Sequence, residues 1–280
     1  MRPVTSLVPA RPVRPAVRSL FAVFTVMGTL AFVTLYVLPA NTATTFAWTI
    51  TPPVTAAFLG AGFGGALFLF ALGYREKVWA NARMAFGGPL ALSVFTIAAT
   101  LMHIDRFHFG AAGLVPRIGA WIWLVVYAVV PFWLVAVLIA QRRSPGGDPP
   151  REQPIPVAGR VALAALAALL IGYGLALFAA PAAIGPSWPW DLTPLTARAV
   201  AAWLIALGVT AAQAGLAEAD FRRTRASASA YTLVAVLYLI GMLIFAEQVR
   251  WTSPGGIVLV ALLLAIIAAG VSSARITSPA

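Results

Sequence analysis

Long apolar runs interrupted by short polar or Pro/Gly-rich breaks dominate the pattern along this chain. Runs of roughly 20 mostly apolar residues are what a membrane-spanning helix requires. Eight such runs occur, at about 18–38, 54–74, 85–104, 118–140, 161–180, 197–217, 230–248 and 256–274. They lack the apolar/polar alternation of barrel strands and are about twice as long as one. The pattern predicts an all-α integral membrane protein with eight spanning helices. The first run follows Arg2, Arg11, Arg14 and Arg18, as a secretory signal would, but it is too long for a signal's apolar region and reads as a retained helix.

The breaks predict internal symmetry. At one constant offset, Leu35 falls on Leu177 and Pro39 on Pro181, and Trp48, Thr51 and Pro52 fall on Trp190, Thr193 and Pro194. Further along, Gly73, Glu76 and Arg83 meet Gly215, Glu218 and Arg225, Asp105 meets Glu247, and Phe109 meets Trp251. Four spans per unit is an even number, so the expected repeats are parallel, related by a pseudo-twofold axis along the membrane normal. The expected organisation is a basic segment 1–17, a first four-helix unit 18–140, a Pro/Gly-rich linker 141–160, a second unit 161–275 and a tail 276–280.

Composition agrees with lipid as the solvent. Of 280 residues 61% are hydrophobic and 10% charged, against roughly 25% charged in soluble domains. The mean hydropathy is +0.92. The net charge of +11 is spread over helix ends and forms no single basic patch, which argues for topological bias and against nucleic acid as a partner. One side of the predicted helices collects Arg2, Arg11, Arg14, Arg18, Arg75, Lys77, Arg83, Arg142, Arg143, Arg151, Arg160, Arg222, Arg223, Arg225 and Arg275. The other holds only Arg106, Arg117, Arg198 and Arg250. Both termini are therefore expected in the cytoplasm, in the inner membrane of a bacterium. Trp48, Trp121, Trp188, Trp190 and Trp251 fall at the outer ends, where amphipathic rings prefer to sit. Cysteine is absent, which removes disulfides, thiolate metal sites and cysteine nucleophiles.

The strings FAWTITPPVTAAFLGAGF, TLMHIDRFHF and WPWDLTPLTAR resemble a family of bacterial multi-pass membrane proteins. That resemblance implies an eight-helix integral membrane protein and supplies no mechanism.

Three groups of residues are candidates for chemistry. His103, Asp105, Arg106 and His108 cluster at the outer end of the third run, and Glu247 and Arg250 occupy the matching place in the second unit. A metal site on His103, Asp105 and His108 is a weak candidate, because residues five apart on a helix point about 140° away from each other. Asp105 and Glu247 would lie at one depth and face each other across a twofold axis, or else form ordinary ion pairs at the rim. The Trp-x-x-Thr-Pro motifs read as helix starts, with Thr51 and Thr193 as N-caps and Pro52 and Pro194 at the first helical position. An anion held between the two helix N-termini is the functional alternative. Gly60, Gly64 and Gly65 lie in one half only and read as close helix packing, with a broken, site-lining helix as the alternative. Mid-membrane polarity is sparse, and Thr96, Tyr238 and Gln213 are its main members, the first two at equivalent repeat positions. No charged residue falls near the middle of a predicted span, which disfavours a proton pump.

No P-loop, HExxH or GxSxG motif occurs, no buried lysine suits a retinal Schiff base, and the two histidines lie too close together to ligate a b-type haem from both sides. No cofactor is implied. The readings that survive are a permease-like transporter of a small neutral or apolar molecule, a structural subunit of a membrane complex, and a membrane enzyme using the outer His/Asp/Glu cluster. The lipid bilayer is the expected partner, and assembly with copies of itself or with other subunits stays open.

Overall fold

The structure, a computed structural model, describes the backbone of residues 9–277 and the side chains of residues 9–273. Arg2, the side chain of Arg275 and residues 278–280 lie outside the described residues. Among the described residues are eight helices long and apolar enough to cross a membrane: α1 Pro15–Val37, α2 Pro53–Arg75, α3 Trp79–Met102, α4 Leu114–Arg142, α5 Val157–Ala179, α6 Pro194–Glu218, α7 Phe221–Ile244 and α8 Pro254–Thr277. Among the described residues, extended backbone pairs only at isolated bridges. The chain is a polytopic, all-helical protein of the kind that satisfies every backbone group inside lipid.

The helix starts follow local chemistry. Pro15, Pro53, Pro181 and Pro194 stand at or next to a first helical position, where a missing N–H is no loss. At α6 the Thr193 hydroxyl accepts from the Thr196 N–H at 3.2 Å, and the Thr196 hydroxyl accepts in return from the Thr193 N–H at 2.8 Å. Asp220 caps α7 through the Arg223 N–H. At α2 the expected cap is displaced. Pro52, not Thr51, is the N-cap, Pro53 takes the first helical position, and Thr51 stays exposed. The Val54 N–H is satisfied by Gln248 Oε1 at 3.0 Å, a side chain from the far end of the sequence.

Burial sorts the helices into two shells. Helices α2 and α6 are mostly buried, whereas α1, α4, α5 and α8 present broad apolar faces outward. Around the central pair the helices pack α1 on α2, α5 on α6, α2 on α7 and α3 on α6. Glycines permit the closest approaches: a Cβ at Gly60 would stand 2.6 Å from the Tyr36 nitrogen, and one at Gly62 would stand 2.8 Å from the Trp203 ring.

Several backbone hydrogen bonds recur at the offset that sets Leu35 on Leu177. Val13 N–H to Lys77 C=O, 3.0 Å, has a counterpart in Ile155 to Ala219, 2.9 Å. Trp79 to Arg11 recurs as Phe221 to Gln153. At the opposite end of the bundle, His108 to Ala47 recurs as Arg250 to Pro189. The 3₁₀ turn Ile104–Arg106 has its counterpart in Ala246–Gln248.

Segment 143–156 is irregular and lies across the end of the bundle that carries residues 9–14. Gly147 N–H donates to Pro9 C=O, and Arg11 N–H donates to Gly147 C=O. Beneath it α6 ends in a π-type turn, Gln213–Glu218, whose last carbonyls lack helical donors, although that of Ala214 still accepts from the Ala219 N–H. Arg151 donates to the Glu218 and Ala217 carbonyls and Arg160 to the Gly215 carbonyl.

Candidate functional site

Between the helices lies an apolar cavity of about 280 Å³. Its walls come from α1, α2, α3 and α4 on one side and from α6 and α7 on the other. Phe63, Trp123, Tyr127 and Trp203 supply much of the surface, with polarity confined to a few hydroxyls such as those of Ser93, Thr210 and Ser227. The aromatic rings hold one another in place: Phe63 meets Trp203 edge-on at 5.0 Å, and Trp123 meets Tyr127 at 4.4 Å. Trp123 Nε1 donates to Thr100 Oγ1 at 3.1 Å, fixing its ring against α3. Towards the terminal end the cavity is floored by an aromatic cluster of Phe21, Phe24, Phe70, Phe86 and Trp79.

Below that floor sits the densest charge cluster among the described residues. Glu218, on the last turn of α6 and 2% exposed, receives two bonds from Arg83 on α3, one of them Nη2 to Oε2 at 2.6 Å. Arg83 also reaches Asp148 in the linker at 2.5 Å, and Arg223 approaches Glu218 at 3.5 Å. Gln213 Nε2 donates to the Arg83 carbonyl, so the expected mid-membrane glutamine belongs to this same junction. The cluster joins α3, the linker, α6 and α7.

The outer cluster does not assemble. Asp105 is exposed and pairs with its neighbour Arg106 at 3.1 Å. His103 lies against Arg198 at 2.8 Å, whereas His108 bonds Thr49 at 3.1 Å and the Phe46 carbonyl at 3.0 Å. Glu247 is exposed, and Arg250 pairs with Asp191 at 2.7 Å. The reason is local: α3 ends at Met102, and residues 104–106 turn outward as a 3₁₀ turn, so the continuous helix behind the expectation stops one turn early. No group of three His, Cys, Asp or Glu suited to a metal is found among the described residues, and His103, Asp105 and His108 each have a different partner.

His103 carries a testable consequence of its own. A guanidinium only donates, so His103 Nε2 must be the unprotonated acceptor. Burial, then the nearby Arg198 charge, lower its pKa from the usual 6.5, with Asp105 opposing. A base whose pKa falls on folding binds fewer protons in the native state, so stability rises with pH through the window below about 6.5. The thermal midpoint in detergent is expected to drop between pH 7.5 and pH 5.5. The His103→Gln variant should lose part of that drop, and an unchanged pH profile would refute the assignment.

Thr96 and Tyr238 are both buried and border no common space. Tyr238 stacks on Phe58 with centroids 3.9 Å apart and borders a small void of about 30 Å³, and its hydroxyl has no hydrogen-bond partner. Thr96 offers its backbone carbonyl to the Thr100 hydroxyl at 2.8 Å. Trp190 Nε1 donates to Thr55 at 2.9 Å. In the same register Thr55 falls on Ala197, and Trp48, which falls on Trp190, leaves its Nε1 without a partner.

Neither the cavity nor the Arg83–Glu218 junction is among the sites expected from the sequence. The signal for the first lay in the small residues of the first half, and for the second in Glu218, an acidic residue at the end of an apolar run. Compared with known proteins, the chain matches no family model, no curated protein and no solved structure. The resemblance of its outer-loop strings to bacterial multi-pass proteins therefore has no family model behind it.

Proposed function

We propose that the chain is a permease-like protein of a bacterial inner membrane, built as two parallel four-helix units with both termini in the cytoplasm. Its pathway for a small neutral or apolar molecule runs between the units. The observation that carries this reading is the 280 Å³ cavity walled by helices from both halves. An apolar chamber of this size at a helix interface differs from the interior of a close-packed structural subunit, in which each methyl-sized gap costs about 1 kcal/mol. The recurrence of backbone bonds at one constant offset supports the two-unit architecture. So does the reciprocal packing of α2 on α7 and α3 on α6, in which each unit lends its second and third helices to the other. The basic bias of the end bearing residues 9–14 and the linker supports its cytoplasmic placement. The dispersed outer cluster gives an enzyme reading nothing to work with.

The test uses the full chain in detergent and in vesicles. Benzene, the smallest suitable probe, is expected to raise the thermal midpoint in a concentration-dependent way, because a ligand that binds only the folded state stabilises it. Ala66→Phe, which pushes a ring into the chamber, should abolish the rise. In reconstituted vesicles, stopped-flow light scattering with a panel of neutral solutes should show protein-dependent flux sensitive to the same variant. No binding and no flux would overturn the reading.

A further inference from the structure

We propose that the cavity receives the hydrocarbon chain of a membrane lipid, entering sideways between α1 and α4, and that the matching chamber in the second half has been filled by side chains. The proposal rests on the reading of the cavity as a binding site between two related halves.

The mouth is the first support. Leu30 on α1 and Ile122 on α4 both line the cavity, yet they are 57% and 51% exposed on the outer surface. Ala31 and Thr34 stand beside Leu30 on the same rim and are partly exposed, and α1 and α4 make little contact with each other. In a bilayer, surface at this level faces hydrocarbon, so the molecule that stands at the opening is a lipid chain and not water.

The interior is the second. Its lining is carbon almost throughout, and its volume is about twice that of a 150 Å³ cavity that stays dry and takes benzene, which leaves room for roughly a dozen carbons. That suits the end of a chain. A hydrocarbon tail enters such a chamber readily. A lipid head does not, because a polar group stripped of its partners is costly in hydrocarbon. A protein chamber opening on the membrane therefore serves an amphipath whose head stays at the mouth.

The third support comes from comparing the halves. In the common register, Gly28, Gly62 and Gly65 on the cavity wall correspond to Leu170, Leu204 and Leu207. Those leucines surround the small void of about 30 Å³ in the second half. Ala31 at the mouth corresponds to Tyr173, whose hydroxyl bonds Ser187 at 2.8 Å. Ser187 stands where the first half has Thr45, itself on the cavity wall. The second half is thus the same chamber packed with leucines and shut by a tyrosine, and the first half keeps small residues at each of these places.

The experiment transplants that closure. The full chain is reconstituted in phospholipid vesicles containing a trace of fatty acid with a diazirine at its chain end, illuminated, and its adducts are mapped by peptide mass spectrometry. Adducts are expected on interior residues Phe63, Trp123 or Trp203 and also on outward-facing Phe132, which is 76% exposed. In Ala31→Tyr the interior adducts should fall about tenfold while those on Phe132 persist. Ile122→Trp closes the same mouth from α4 and serves if the first variant does not fold. Interior labelling that is absent from the wild type, or unchanged in both variants, overturns the proposal. Benzene binding without interior labelling by the chain would refute the lipid assignment alone, and loss of both would refute the binding site itself.

Discussion

Glu218→Gln is expected to lower stability by about 3 kcal/mol, on the order of 10 °C in the thermal midpoint of the detergent-solubilised protein. The carboxylate is 2% exposed and lies between two guanidiniums, those of Arg83 and Arg223. Neutralising it strands the buried Arg223 and leaves the partly buried Arg83 with only Asp148, which is a third exposed and contacts Arg83 alone. Removing one member of a buried pair costs far more than the pair is worth against an apolar replacement, because the surviving charge is stranded. Two controls follow. Asp148→Asn, at the solvated rim, should cost under about 1 kcal/mol. Replacing both partners, Arg83→Met with Glu218→Leu, should recover part of what the single change loses. A single-variant loss no larger than that of Asp148→Asn would show that the junction is solvated and that α3, the linker and α6 are held by other contacts.

That junction also marks how far the sequence could be read. Helix number and approximate limits were legible because each span is a continuous apolar run, and lipid selects for nothing finer than that. The constant offset between matched residues stands out at helix ends, where Pro, Trp and Gly have positional duties. What stayed hidden depends on where the helices stop being regular. Glu218 reads from sequence as a loop residue at the end of an apolar run, but a π-type turn carries the helix through to it and brings it beneath Arg83. Asp105 and His108 read as a continuation of the third helix, but α3 ends at Met102 and the 3₁₀ turn sends them to different partners. Thr51 reads as a cap by analogy with Thr193, but Pro53 starts α2 one residue later than the analogous start, and Gln248 supplies the acceptor instead. The cavity was hidden for a different reason. It is made by what is missing, glycine and alanine where the other half has leucine and tyrosine, and an absence of side chain carries no periodic signal.

The same glycines separate close packing from mere small size. Gly60→Ala is expected to cost about 3 kcal/mol, at the upper end of what overpacking by a single methyl exacts. The added Cβ would lie 2.6 Å from the Tyr36 nitrogen and 2.8 Å from the Leu35 carbonyl carbon, and backbone cannot step aside as a side-chain tip can. To accommodate it, α2 must withdraw from the π-turn at Val33–Val37 that ends α1, and the cavity wall moves with it. Gly172, in the middle of α5, offers the opposite case, since a Cβ there meets nothing within 4 Å. Gly172→Ala should be neutral or stabilising by up to about 1 kcal/mol through helix propensity alone. Thermal midpoints of the two variants measured side by side in one detergent should therefore separate, that of Gly60→Ala falling and that of Gly172→Ala holding or rising. If both move the same way, the contact of α2 with the end of α1 is not what limits this bundle. The first half would then owe its open chamber to something other than the tight seam at Gly60.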